Sequence, residues 1–235
     1  MKYISYKKFF FICIRFGVNW FHYLNLIKMK NFLIFLFPVV LILGGCTPGE
    51  KKISESQLRD FAVAEGNRIA METQQLLGST LKKTIQQQGI PEALKYCNLN
   101  AYPLVDSIEQ KYSVIIKRAS TDIRNPLDKP DDAELEFILA FQDSLASGKT
   151  LQPMVEVHEK EIHFVRPIIL NDEVCLNCHG RIGTDIPNEN YQVIKALYPD
   201  DQATGHVLGD LRGIWSIRFS RNDLTEAIRS DNQDQ

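Results

Sequence analysis

Cysteine and histidine are both scarce, at five each in 235 residues. That scarcity gives weight to any place where they gather. Other things are missing too. There is no internal repeat, no low-complexity tract and no long Pro/Gly/Ser linker, so the chain reads as one domain behind a leader. No acidic residue occurs before Glu50, whereas Lys2, Lys7, Lys8, Arg15, Lys28 and Lys30 do. Without positions 1–45, 21 basic residues stand against 29 acidic ones, a formal net charge of −8 over 190 residues. A domain that acidic lacks the basic patch a polyanion requires, which disfavours nucleic acid as a partner and permits a basic redox partner.

Long apolar runs are also lacking. Phe32 to Leu43 is twelve residues, apolar except for Pro38, too short to span a bilayer comfortably as a helix. Met29-Lys30-Asn31 precedes it and Gly44-Gly45-Cys46 follows, the pattern of a signal peptide that begins afresh at Met29. The end of this segment resembles a bacterial lipobox. That resemblance implies a lipid on Cys46, which becomes the first mature residue and anchors the domain to a membrane surface. A plain N-terminal anchor helix is the alternative. The domains expected are a signal peptide over 1–45, a lipidated tether over 46–53 and one folded domain over 54–235. The site expected is the periplasmic side of a bacterial membrane.

What is present is Cys175-Leu176-Asn177-Cys178-His179-Gly180. From this composition a chance Cys-x-x-Cys-His is expected in roughly two such chains per thousand. Two thiols so spaced can add across the two vinyl groups of a porphyrin, with the adjacent imidazole beneath the iron, so the motif points to one covalent haem c. Zinc is a poorer fit, because a closed structural site wants four ligands and adjacent Cys and His crowd one tetrahedral metal. A redox dithiol would need a strand-to-helix setting that is not seen around the motif. Of the remaining cysteines, Cys13 falls in the leader and Cys97 is left over. It is either a small buried hydrophobe or a second iron ligand.

The pattern predicts a long helix from Ser54 to about Leu77, continued over Ser79–Gln88, then a short helix from Pro91 to about Asn98 that carries Cys97. Strands follow over Ser113–Ala119, Met154–His158, Ile162–Ile168 and Gly213–Phe219. Asp131 with Glu134 opens a helix to about Ala146, and Tyr191–Leu197 forms another. The chain then ends in an acidic tail. This order suggests an α+β domain with helices first and an antiparallel sheet later.

Several segments match a known family in order: Ala93-Leu94-Lys95-Tyr96-Cys97, Arg118-Ala119-Ser120 with Arg124-Asn125-Pro126 and Pro130, Arg166-Pro167-Ile168, the Cys-x-x-Cys-His run, and Tyr198-Pro199-Asp200 through Gly205 to Gly209-Asp210-Leu211-Arg212-Gly213. The chain resembles the single-haem, PAS-like c-type family known from a cyanobacterial cytochrome, over residues 56–220. Related domains serve as extracytoplasmic inputs of sensor kinases. The resemblance implies a PAS-like antiparallel sheet, haem on Cys175 and Cys178, His179 as one axial ligand and Cys97 as the other. His158 and His163 are fallback ligands, Met71 and Met154 weaker ones, and His206 reads as solvated. Arg118 and Arg124 either neutralise haem propionates or hold backbone carbonyls. Leu176, Ile182, Trp215 and Phe219 could line the haem face or an ordinary core.

The function expected is extracytoplasmic electron transfer or redox sensing, through an unidentified redox or signalling partner. The alternative is a gas sensor. With no distal acid-base pair evident, no enzymatic turnover is expected. The secreted product should weigh the chain from Cys46 plus lipid plus one haem and show a Soret band. Mass spectrometry and visible absorption check both, and an apoprotein mass without Soret absorption contradicts the reading.

Overall fold

The computed structural model describes residues 52–233. The leader and Cys46 lie outside the described residues. Among the described residues, no helix is long and apolar enough to cross a membrane.

Helix α1 (Glu55–Gln88) is a single element of 34 residues. Ser54 caps it by accepting from Gln57 N–H, and the Gln57 side chain returns the bond to Ser54 N–H. Gly89 turns the chain directly into α2 (Ile90–Tyr112), with Pro91 in its first turn. The sequence reading ended this helix near Asn98, but it runs on to Tyr112 through Pro103. An interior proline costs about 3 kcal/mol. Here Ala93, Leu94, Ala101, Val105 and Ile108 keep one apolar stripe going, and burying that stripe outweighs the missing bond. Glu72 interrupts the apolar pattern of α1 for a related reason. It accepts from Lys111 Nζ (2.7 Å) and Tyr112 Oη (2.6 Å), stitching α1 to the end of α2.

The sheet has four antiparallel strands in the order β1 (Ile115–Ala119), β4 (Leu211–Ser220), β3 (Glu161–Ile169), β2 (Met154–Val157). With helices preceding and flanking it, the class is α+β. On one face Ile116, Ile217 and Phe164 lie side by side in register, with Ile162 and Phe219 beside them, under α1, α2 and the terminal helix α6 (Arg221–Asp231). On the other face Ala119, Val165 and Ile214 pack against Phe137, Ile138 and Phe141 of α3 (Asp132–Ala146). Asp131 and Glu134 form the expected capping box of α3.

The acidic segment after β4 is the helix α6, which the sequence reading did not place. Polar at most positions, it buries Leu224 and Ile228 against α1 and the sheet, and two such residues left no conspicuous periodicity to read.

Where α1 crosses the sheet it does so on a glycine. A Cβ on Gly66 would stand 2.4 Å from Phe164 Cγ, well inside contact distance. Gly66→Ala should therefore destabilise the fold by about 1–3 kcal/mol despite the better helix propensity of alanine. Urea unfolding of the two proteins measures the difference.

Candidate haem site

The segment carrying the two thiols is a tightly bonded turn. The Asp172 side chain accepts from Val174 N–H (3.0 Å) and its carbonyl from Cys175 N–H (2.9 Å), starting a 3₁₀ turn over Glu173–Cys175 that passes straight into α4 (Leu176–His179). In such winding, residues three apart share a side, so Cys175 and Cys178 stand along one edge with His179 a step round. Gly180 N–H closes the turn on Leu176 O at 2.9 Å. A Cβ at Gly180 would lie 2.4 Å from Asp185 Cβ and 2.6 Å from Leu176 O, so the turn accommodates only glycine there. Lys82 of α1 reaches Asp172 at 2.7 Å and ties the turn to the long helix.

This turn forms one wall of a cavity of about 770 Å³. The second half of α1, the Cys97 region of α2 and the ends of β1, β3 and β4 supply the rest. Cys97, Arg118, Arg124, Cys175, Cys178 and His179, the residues singled out from sequence, all line it. Met71 reaches the same cavity from α1.

His179 is held by its far side. Its Nδ1 lies 2.8 Å from Ala203 O and 3.3 Å from Arg212 Nε. A carbonyl can only accept and is the nearer of the two, so Nδ1 carries the proton and Arg212 is a close neighbour rather than a donor. Burial, with the charges of Arg212 and Arg124 adding to it, pushes the imidazole well below its usual pKa, so the ring is neutral. The lone pair is then on Nε2, which has no hydrogen-bond partner among the described residues. This is the second-side anchoring that metal-ligating histidines require.

The carbonyl that orients His179 is itself positioned. Gly205 N–H donates to Gly180 O (2.8 Å) and His206 N–H to His179 O (2.9 Å), zipping turn 201–206 alongside the motif. Arg124 fixes both. Its Nε donates to Asp201 Oδ1 (2.8 Å), and its Nη2 donates to Cys178 O (2.6 Å) and Asp201 Oδ2 (3.2 Å). The Asp201 side chain is fully buried and that of Arg124 only 10% exposed. Of the two roles offered for Arg124, holding carbonyls is the one its bonds serve. Arg118 makes no hydrogen bond or ion pair with any described residue.

Burial pushes the Cys97 thiol up, with Arg118 and Arg124 pulling against it, and pushes Cys178 up to about 11. Cys175 is raised by the same cause. Protonated, buried thiols are the opposite of the activated thiolate that a dithiol oxidoreductase needs. Among the described residues, no group of three or more His, Cys, Asp and Glu side chains is arranged to hold a metal ion. The donor set instead suits an iron porphyrin: two thiols on one edge, a neutral imidazole with a free lone pair, a further thiol, apolar walls and several arginines.

The remaining candidates lie elsewhere. His163 is fully buried on the α3 side of the sheet, bonded through Nε2 to Ser216 Oγ at 2.8 Å and edge-on to Phe137. His158 is an exposed residue 3.4 Å from Glu156. Met154 packs under α3. Of the four apolar candidates only Trp215 lines the cavity; Ile182 is exposed and Phe219 belongs to the core at the other end of β4. His206, expected in solvent, is instead tucked behind His179 with ring centroids 6.4 Å apart and its side chain only 11% exposed. Sequence reasoning missed Ala203 and Asp201 as supports of His179 and Arg212 as its charged neighbour. The Tyr-Pro-Asp and Gly-Asp-Leu-Arg-Gly segments that contain or flank them were visible, but nothing in a linear pattern tells which carbonyl meets an imidazole.

The sequence model of the Tll0287-like family matches residues 55–220. A crystal structure of the cyanobacterial heme-protein Tll0287 superposes with a TM-score of 0.50 at 19% identity, covering 67% of this chain and 94% of that one. No curated protein matches the sequence.

Replacing Arg124 by Met should leave the Asp201 carboxylate buried and unpaired, at a cost of about 3–5 kcal/mol. Adding Asp201→Asn should recover part of that loss. Urea unfolding of the single and double variants checks both; additive losses would show that the two residues are not coupled.

Proposed function

The chain belongs to the Tll0287-like family, and on that premise we propose that it is a c-type haem protein, with one haem held covalently by Cys175 and Cys178 and ligated axially by His179 and Cys97. One observation carries the reading: two sequence segments far apart in the chain bring a thiol pair, an imidazole fixed by its Nδ1–H and a further thiol to one cavity. Cys175 and Cys178 would hold the group through two thioether bonds, each made by adding S–H across a vinyl C=C, which would need no oxidant. Bound there, haem supplies a one-electron couple.

The chain's own residues set the conditions for that couple. Ala203 O holds the His179 tautomer and so leaves Nε2 as the atom that would hold the iron. Arg124 and Asp201 hold the turn that carries Ala203. Cys97 sits on a different element from the motif, within the helix that also packs on α1 and α5 (Asn188–Leu197). A haem held by Cys97 would couple its oxidation state to α2, and the role we propose is extracytoplasmic electron transfer or redox sensing. Lipid on Cys46 would hold the domain at the outer face of a membrane, within reach of a redox or signalling partner.

Ferric and ferrous visible spectra of protein matured with a cytochrome c assembly system test the ligands. Wild type should show thiolate-dependent bands that Cys97→Ala loses, while haem stays covalently attached through acid–acetone extraction. Cys175→Ser with Cys178→Ser should release it. An unchanged Cys97→Ala spectrum removes Cys97 as ligand, and rapid carbon monoxide binding by the ferrous wild type would turn the role towards gas sensing.

A further inference from the structure

The row of the sheet where the core gives way to the cavity is Arg118, Trp215 and Arg166, in register across β1, β4 and β3. One pair of residues further along, Ile116, Ile217 and Phe164 form an entirely apolar row on the same face. Cross-strand partners share a face, so the two guanidinium side chains leave the sheet on the cavity side and flank one indole. All three residues line the cavity, and both arginines are half-buried.

Neither arginine has a hydrogen-bond or ion-pair partner among the described residues. Their neighbours are already satisfied. Arg124 is engaged by Asp201 and Cys178 O, and Arg212 donates to Ser120 Oγ at 2.7 Å. Asp128, an acid of the cavity lining, is bonded to Tyr102 Oη at 2.5 Å. The indole N–H of Trp215 is likewise buried without a partner. Two free cations at the edge of a core call for an anion that the chain does not itself provide.

We propose that Arg118 and Arg166 are the residues that bind the two propionate carboxylates of the haem, with Arg124 serving the protein alone. The inference rests on the haem reading above and adds Arg166, which lies in a segment matched to the family but to which the sequence reading gave no role. Neighbouring strands lie about 4.7–4.9 Å apart, so the two backbones stand about 10 Å apart across β4. That separation is within reach of a planar dianion whose carboxylates leave from one edge. Guanidinium suits this role because its fork matches a carboxylate and its charge is permanent.

The test uses the haem-loaded protein with Arg118→Gln, Arg166→Gln and Arg166→Lys, beside Arg181→Gln as an exposed control. Resonance Raman reads the propionate bending band, and spectroelectrochemistry reads the midpoint potential against pH. Each Gln variant should shift the band and lower the potential, because removing a cation favours ferric haem. The propionate-linked inflection should also move up by about one pH unit or more, since an opposite charge holds a carboxyl pKa down by that much. Arg166→Lys should keep the wild-type inflection yet shift the band, its fork being lost, so it reports even if the Gln variants fail to load. The proposal is overturned if Arg166→Gln or Arg166→Lys carries haem with an unmoved band. A wild-type protein that takes up no haem would refute the haem reading instead.

Discussion

The ion pair between Arg124 and Asp201 is the interaction on which the site depends. Arg124 lies in the loop after β1 and Asp201 in the turn before β4, and the pair closes those two strand connections onto each other. With its remaining donor Arg124 takes the carbonyl of Cys178. Three connecting segments are thereby fixed: the loop, the thiol-bearing turn and the turn whose Ala203 carbonyl orients His179. A buried carboxylate and guanidinium gain little over an apolar pair of the same shape, and their value here is geometric. They specify one arrangement of loops that have few apolar contacts to do so.

The sheet contributes a boundary. On the face under α1 the cross-strand rows change character once, between the wholly apolar row of Ile116, Ile217 and Phe164 and the mixed row of Arg118, Trp215 and Arg166. The long helix α1 serves both zones. Its first half lies close enough to the sheet for Gly66 to meet the Phe164 ring, and its second half stands off to line the cavity. Helix α2 descends beside it with Cys97 on the cavity side. Core and site are thus the two halves of one interlayer space, and packing in the first sets the width of the second.

Much of this was legible in the chain. The capping pair at Asp131 and Glu134, the long first helix from Ser54, and the strands at Met154–His158, Ile162–Ile168 and Gly213–Phe219 are local patterns, and local patterns survive in one dimension. The thiol motif is equally local. The misreadings share one cause, which is that tertiary burial outvoted local propensity. Pro103 stands inside α2 because the stripe through Ala101 and Val105 is covered by α1 and the sheet. Helix α6 forms on little more than Leu224 and Ile228. His206, in a polar turn, is buried because that turn folds back over His179.

By itself the sequence determined the α+β order of elements and the chemical groups available: two thiols and an imidazole within five residues, a further thiol, and arginines in strand and loop. Only the tertiary structure decided which of those groups share a cavity, which nitrogen of His179 is free, and which arginines are unpartnered. The physical reason lies in range. Capping, alternation and turn formation are fixed by neighbours along the chain. Hydrogen-bond partners such as Ala203 O for His179 or Asp201 for Arg124 come from segments brought together by packing, and no spacing in the sequence records that meeting.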